Sequence, residues 1–273
     1  MVKIYLSSLG CAKNLVDSEM MLGLLQHHRF MITENAAEAD VIIVNTCGFI
    51  ADAKEESIHT ILELAEYKKA GTCKLLAVAG CLVQKYRQEL VEAMPEVDLL
   101  LGTREYHLIA ERLAEKLGQP LQTGAEDAEA VYQKRSLITP SYTAYLKIAE
   151  GCDNRCAYCL IPQLRGPKVS RSVESLLAEA QMLLEHGVRE LIVIAQDTTA
   201  YGYDIYGKEM LPELLAKLAA MPFKWIRLLY SYPKHISDAL LKVMAEHKNI
   251  CRYMDIPVQH VSKKILAGMG RGG

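Results

Sequence analysis

Three cysteines fall within eight residues in the string Glu150-Gly151-Cys152-Asp153-Asn154-Arg155-Cys156-Ala157-Tyr158-Cys159. The C-x3-C-x2-C spacing, directly after an apolar run, lets one loop wrap three thiolates around an iron–sulfur cluster and leave one iron without a protein ligand. An open coordination position separates a catalytic metal site from a closed structural one. The alternatives are a tetrahedral zinc site with a distant fourth ligand, or three unrelated buried cysteines. Zinc motifs usually pair one two-cysteine hook with another, and no second hook exists in the sequence.

Eight cysteines in 273 residues are an excess. They point to metal ligands or catalytic thiols rather than disulfides if the chain is cytosolic. Cys11, Cys47 and Cys81 each follow a different apolar run: Lys3–Leu9, Val41–Asn45 and Leu75–Ala79. If these runs are parallel strands, their C-terminal ends converge on the crevice where open parallel sheets bind ligands. The three thiols then predict a second cluster, with buried packing cysteines as the alternative. Cys73 and Cys251 each precede a predicted strand, so both are expected at the opposite edge as structural residues.

The elements that would position these thiols can be read from the apolar pattern. Residues 1–118 alternate short strands, the fourth being Val97–Leu101, with helical segments such as Leu15–Leu24 and Ile58–Ala65. Asp52, with Glu55 three places on, marks the polar start of the second helix. This alternation predicts a doubly wound parallel sheet domain. Residues 119–141 read as a linker, punctuated by Pro120 and Gly124, with Glu126, Asp127 and Glu129 out of any apolar period. Residues 142–273 begin a second series with strands at Tyr145–Ala149, Glu190–Ala195, Trp225–Leu229 and Tyr253–Val258. Its first helix starts near Ser172 and closes at Gly187. The fold class is α/β, with the second domain an incomplete parallel (β/α) barrel whose chemistry sits at the strands' C-terminal ends.

Composition narrows the function class. Hydrophobic residues are 51% and charged residues 23%, which fits a globular chain. The net charge of -2 argues against a protein that coats nucleic acid, so no DNA partner is expected. No run reaches the roughly 18 apolar residues of a membrane span, and the first nine residues are too short for a signal peptide's apolar segment. The expectation is a cytoplasmic protein without a membrane partner.

The cysteine loop resembles the signature of the radical S-adenosylmethionine (SAM) superfamily, with Tyr158 in its aromatic place. The resemblance implies that Cys152, Cys156 and Cys159 hold a catalytic [4Fe-4S] cluster whose open iron takes SAM. It further implies that one electron cleaves SAM to a 5′-deoxyadenosyl radical, that Tyr158 lies against the adenine, and that Gln196 and Asp197 meet the SAM amino group. Ser8-Leu9-Gly10-Cys11-Ala12-Lys13-Asn14-Leu15-Val16-Asp17-Ser18-Glu19, Asn45-Thr46-Cys47 and Gly80-Cys81 resemble the N-terminal domain of the methylthiotransferases. By that resemblance Cys11, Cys47 and Cys81 hold an auxiliary [4Fe-4S] cluster. Lys13-Asn14 before Val16-Asp17-Ser18-Glu19, and Ala195-Gln196-Asp197-Thr198-Thr199 before Tyr201-Gly202, resemble the RimO-type branch. That branch modifies an aspartate β-carbon of small-subunit ribosomal protein S-twelve, using SAM and an electron donor. A tRNA-modifying methylthiotransferase and a two-cluster electron carrier without SAM chemistry are the other readings.

Several residues keep two readings at this stage. Asn14 either caps a helix whose dipole welcomes Asp17 and Glu19, or serves the site. A polar strand-end loop is the plain reading of Gln196 and Asp197. Arg165, Lys168 and Arg171 either meet the SAM carboxylate or are solvated. His260 is the only histidine near a predicted barrel rim. The family's barrel has six strand–helix units and then a small β domain, whereas four strands are read here. The sequence therefore reads as C-terminally truncated, with later SAM contacts and the small domain absent.

Overall fold

The computed structural model describes residues 1–120 and 130–271, in two compact units divided between Ser136 and Leu137. Gly124, Glu126, Asp127 and Glu129 of the expected linker lie outside the described residues.

In the first unit, Val41-Ile42-Ile43-Val44 and Leu75-Leu76-Ala77-Val78 are unbroken apolar runs, as strands covered on both faces require. The unit comprises β1 (Lys3–Ser8), α1 (Ala12–His27), β2 (Met31–Ile32), β3 (Val41–Thr46), α2 (Ala51–Ala70), β4 (Leu75–Gly80), α3 (Cys81–Ala93), β5 (Leu99–Leu101), α4 (Ile109–Leu117) and α5 (Ala130–Gln133). All strand pairs are parallel, in the order β2-β1-β3-β4-β5. Every residue of β3 and β4 is buried. Ile42, Val44, Leu76 and Val78 pack with Ile61, Leu64, Leu82 and Val83 from α2 and α3. The alternate residues point the other way, and α1 lies against β1 and β3 with α4 and α5 beside it. The doubly wound sheet is thus borne out, and its order reverses between β1 and β3, the crevice where such sheets bind ligands.

Helix α1 is buried almost all round, including Asn14, Asp17, Ser18 and Glu19. A buried charge needs a partner. Arg135 Nη2 meets Glu19 Oε2 at 2.6 Å, with neither side chain exposed, and Ser136 N donates to the Glu19 carbonyl. The end of the expected linker, from Ala130 to Ser136, therefore packs with the first unit.

The second unit runs through β6 (Thr143–Lys147), β7 (Ala149–Glu150), α6 (Ile161–Arg165), β8 (Val169–Ser170), α7 (Val173–Glu185), β9 (Glu190–Ile194), α8 (Tyr203–Tyr206), α9 (Leu211–Ala219), β10 (Trp225–Leu228), α10 (Asp238–Glu246), β11 (Ile250–Met254) and α11 (Lys263–Gly268). Strands β6, β9, β10 and β11 form a parallel sheet in the order β11-β10-β9-β6. The short β7 and β8 pair antiparallel and close the base of the cysteine loop. Ser172 caps α7 by accepting from Ser175 N.

One strand differs from expectation. The apolar residues Tyr253, Ile256 and Val258 suggest a strand from 253 to 258, but pairing with β10 starts at Ile250 and ends at Met254. Asp255 turns out of the sheet to accept from Tyr230 N, and Pro257 has no N–H to donate to a ladder. Cys251 consequently lies within β11 rather than before it. No helix among the described residues is long and apolar enough to cross a membrane.

Candidate functional site

In the first unit the three cysteines stand past the C-terminal ends of adjacent strands. Cys11 is the N-cap of α1 after β1, Cys47 follows β3, and Cys81 opens α3 after β4. Gly10, at φ +87°, lets the chain pass so close that a Cβ there would stand 2.8 Å from Cys47 Cβ and 3.2 Å from its Sγ. A Cβ on Gly48 would stand 3.0 Å from the Leu82 backbone. The strand ends converge, and the thiols grade from buried Cys81 through half-buried Cys47 to exposed Cys11.

Asn14 ties this convergence together. Its Nδ2 donates to Leu9 O at 3.0 Å and to Thr46 O at 2.8 Å, and Cys81 Sγ donates to its Oδ1 at 3.8 Å. One side chain thereby touches all three strand ends. Asn45 donates to Asn14 O and to Ser18, and Ser18 donates to Ser8, so the polar string across the sheet's end is continuous. The helix-cap reading of Asn14 does not hold, because Cys11 is the cap and no acidic residue lies in the first turn.

The second unit builds its site from one loop. Gly151, at φ +74°, lies so near Pro167 that a Cβ would sit 2.0 Å from that carbonyl oxygen, and Cys152 N donates to Gly166 O. Asn154 donates to Asp197 at 2.7 Å, and Ala157 N donates to Met269 O at 2.9 Å. The loop is thus tied to the end of β9 and to the turn after α11. Burial first, then Asp197 and the neighbouring Cys159 and Cys156, push the Cys152 thiol up. Thiolates that share one short loop repel one another, a repulsion that a metal centre relieves.

A cavity of about 520 Å³ opens beside the loop, lined by the three cysteines, Tyr158, Gln196, Ser231 and others from the strand ends. That volume suits a cofactor-sized ligand. Gln196 Nε2 donates to Glu150, leaving its Oε1 buried without a partner on the cavity wall. Ser231, 1% exposed, also has an unpartnered hydroxyl there. Buried polar atoms without partners are rare, and these two fit a polar ligand. Tyr158 lines the same cavity, half exposed.

Asp197 is placed differently from Gln196. Its oxygens accept from Asn154, Thr199 and Ala200 N, and His235 Nδ1 lies 3.0 Å away, so it anchors the loop rather than lining the cavity. Burial works against its charge, yet hydrogen bonds from His235, Thr199 and Asn154 hold the carboxyl below its usual range. Arg165, Lys168 and Arg171 are buried, which overturns the solvated reading. They face Glu150, Asp204 and Glu179 respectively. Glu150, which the sequence did not single out, sits among Lys147, Arg165 and Gln196. Burial opposes its charge, but Arg165 and Lys147 outweigh that and hold it down to about 2. Cys73 is buried beside Leu75 O, before β4 begins, whereas Cys81 follows the other end of that strand. Among the described residues no three His, Cys, Asp or Glu side chains are arranged to hold a single ion. A cluster several atoms wide spans a larger gap between thiols than one ion does.

Residues 3–102 match the uncharacterized protein family UPF0004, and residues 146–273 match the radical SAM superfamily. The chain is 55% identical to the ribosomal protein uS12 methylthiotransferase RimO of Desulforamulus reducens over 99% of its length, and 52% identical to that of Clostridioides difficile. It spans 62% of the length of each of these two relatives. Among solved structures, the radical SAM methyltransferase TsrM from Kitasatospora setae aligns at TM-score 0.66 with 15% identity, covering 99% of this chain and 64% of that one. The cobalamin-dependent SAM radical enzyme OxsB aligns at 0.66 with 12% identity, covering 100% of this chain and 46% of that one. At such identities the likeness is one of fold. The chain thus carries a UPF0004 region followed by a radical SAM region, and nearly its whole length is similar to the RimO methylthiotransferases.

Proposed function

We propose that the chain is the cluster-bearing part of a methylthiotransferase that acts in the cytoplasm on an aspartate β-carbon of ribosomal protein uS12, with electrons from an external donor. Cys152, Cys156 and Cys159 hold a [4Fe-4S] cluster that takes SAM, and Cys11, Cys47 and Cys81 hold an auxiliary [4Fe-4S] cluster. The observation that carries the reading is the three-thiol loop at a strand's C-terminal end, opening on a cavity whose buried Gln196 Oε1 lacks a partner.

An unactivated carbon has no acidic proton, so side-chain acids and bases cannot start the reaction. When bound, SAM and its cluster supply the one-electron chemistry that the step requires. The chain's own residues bind and orient. Gln196 Oε1 accepts from the SAM amino group, and the Glu150 carboxylate fixes that amide's direction. Tyr158 offers its ring to the adenine. Asp197 holds the loop through Asn154 instead of touching the cofactor. The auxiliary site keeps Cys11 open to solvent, where a sulfur-bearing group can be reached.

Mass spectrometry tests the reading directly. A reconstituted protein that carries this chain at its relatives' full length, with SAM, a one-electron reductant and uS12, should yield a protein product in which one methylthio group replaces one hydrogen on the aspartate. Methylthiolated adenosine in tRNA, with uS12 unchanged, would overturn the substrate. SAM that leaves the cluster's spectrum unaltered would overturn the enzyme reading altogether.

A further inference from the structure

Cys156 differs from its two neighbours in what surrounds its sulfur. Arg271 Nη1 stands 4.0 Å from Cys156 Sγ and donates to the Tyr158 hydroxyl at 3.1 Å, while Nη2 donates to Pro257 O at 2.7 Å. The guanidinium lies 4.4 Å from the Tyr232 ring centroid. Tyr232 lines the same cavity as Cys156, and burial and that neighbouring sulfur hold its phenol above the usual range. The backbone supports the arrangement independently, since Arg271 N donates to Leu266 O and Ala157 N to Met269 O. These contacts fix a side chain that is otherwise long and mobile. Cys152, by contrast, feels both the Asp197 carboxylate and the Lys168 ammonium.

We propose that Arg271 and Tyr232 tune the reduction potential of the cluster held by Cys152, Cys156 and Cys159, by directing positive charge and hydrogen bonds at the Cys156 sulfur. The proposal rests on the cluster reading above. Reduction adds negative charge to the iron–sulfur core and its thiolates. Donors and a cation beside a ligating sulfur stabilise the reduced state more than the oxidised one and raise the potential. Both residues act through the ligand, so they are positioning residues.

The test is a potentiometric EPR titration of the anaerobically reconstituted protein. It follows the signal that disappears when Cys152, Cys156 and Cys159 are changed together to Ala. Arg271→Met and Tyr232→Phe should each move the midpoint to a more negative potential at unchanged iron content, and the double variant further than either. Arg271→Lys should move it less than Arg271→Met, because the ammonium keeps the charge but not the planar fork. Unmoved midpoints at full iron content overturn the tuning role and leave the cluster assignment standing. Iron loss in Arg271→Met together with an unmoved midpoint in Tyr232→Phe makes Arg271 a loop anchor, and overturns it equally. If no signal depends on the three cysteines, the cluster reading itself fails.

Discussion

The two cysteine triads converge by opposite routes. Cys152, Cys156 and Cys159 are neighbours in sequence, and the fold only has to pin their loop at Gly166, Asp197 and Met269. Cys11, Cys47 and Cys81 are far apart in sequence and meet because β1, β3 and β4 are adjacent parallel strands. The first arrangement depends on local anchors, while the second depends on the whole sheet and on Asn14, near the start of α1, at the strand ends. Damage to either unit should therefore separate the two sites.

The largest separation should come from Glu19→Ala. It leaves Arg135 charged and buried without that carboxylate, a loss on the order of 3–5 kcal/mol for a fully buried pair. Thermal unfolding of the first unit should drop steeply, with iron lost from Cys11, Cys47 and Cys81 and retained by the loop triad. Loss of both would show that the units do not fold independently.

Glu150→Gln probes the other side. Its folded pKa lies at about 2, below the ordinary 4.5. The charged form thus stabilises the second unit at neutral pH, and this support fades as pH falls from about 4.5 toward about 2. The variant should be less stable at neutral pH by about 2 kcal/mol, the scale of hydrogen bonds to a charged group, and its acid limb should be flatter. Equal acid profiles for both proteins would contradict the assignment. A rather smaller effect is expected for Asn14→Ala, which strips donors from Leu9 O and Thr46 O, at about 1–2 kcal/mol. Its iron loss should be confined to the auxiliary site. Least of all, Cys73→Ala and Cys251→Ala should cost about 1 kcal/mol each and no iron; loss of half the iron from either would mean that the triads are wrongly drawn.

What was legible in the sequence follows the same divide. The loop triad could be read from spacing alone, and the dispersed triad from the rule that parallel strands end at one crevice. Partners set by side-chain direction could not be read so. Asn14 stood between a helix cap and a site role, and only the fold shows it spanning three strand ends. Arg165, Lys168 and Arg171 stood between a ligand role and a solvated run until their carboxylates, from other elements, were in place. Tyr232 gave no signal for a simpler reason. With the fourth strand read too late, Asp255 and Pro257 counted as strand, and the cavity wall they form with Tyr232 was hidden.

The central claim is that two independent iron–sulfur sites share this chain, and iron counting after anaerobic reconstitution tests it most directly. The intact protein should bind about eight irons, if both clusters are of the four-iron type. Changing Cys152, Cys156 and Cys159 together to Ala should leave about four, and changing Cys11, Cys47 and Cys81 together should leave about four of the other kind. Iron content that neither triple change alters, or that either one abolishes entirely, would contradict it.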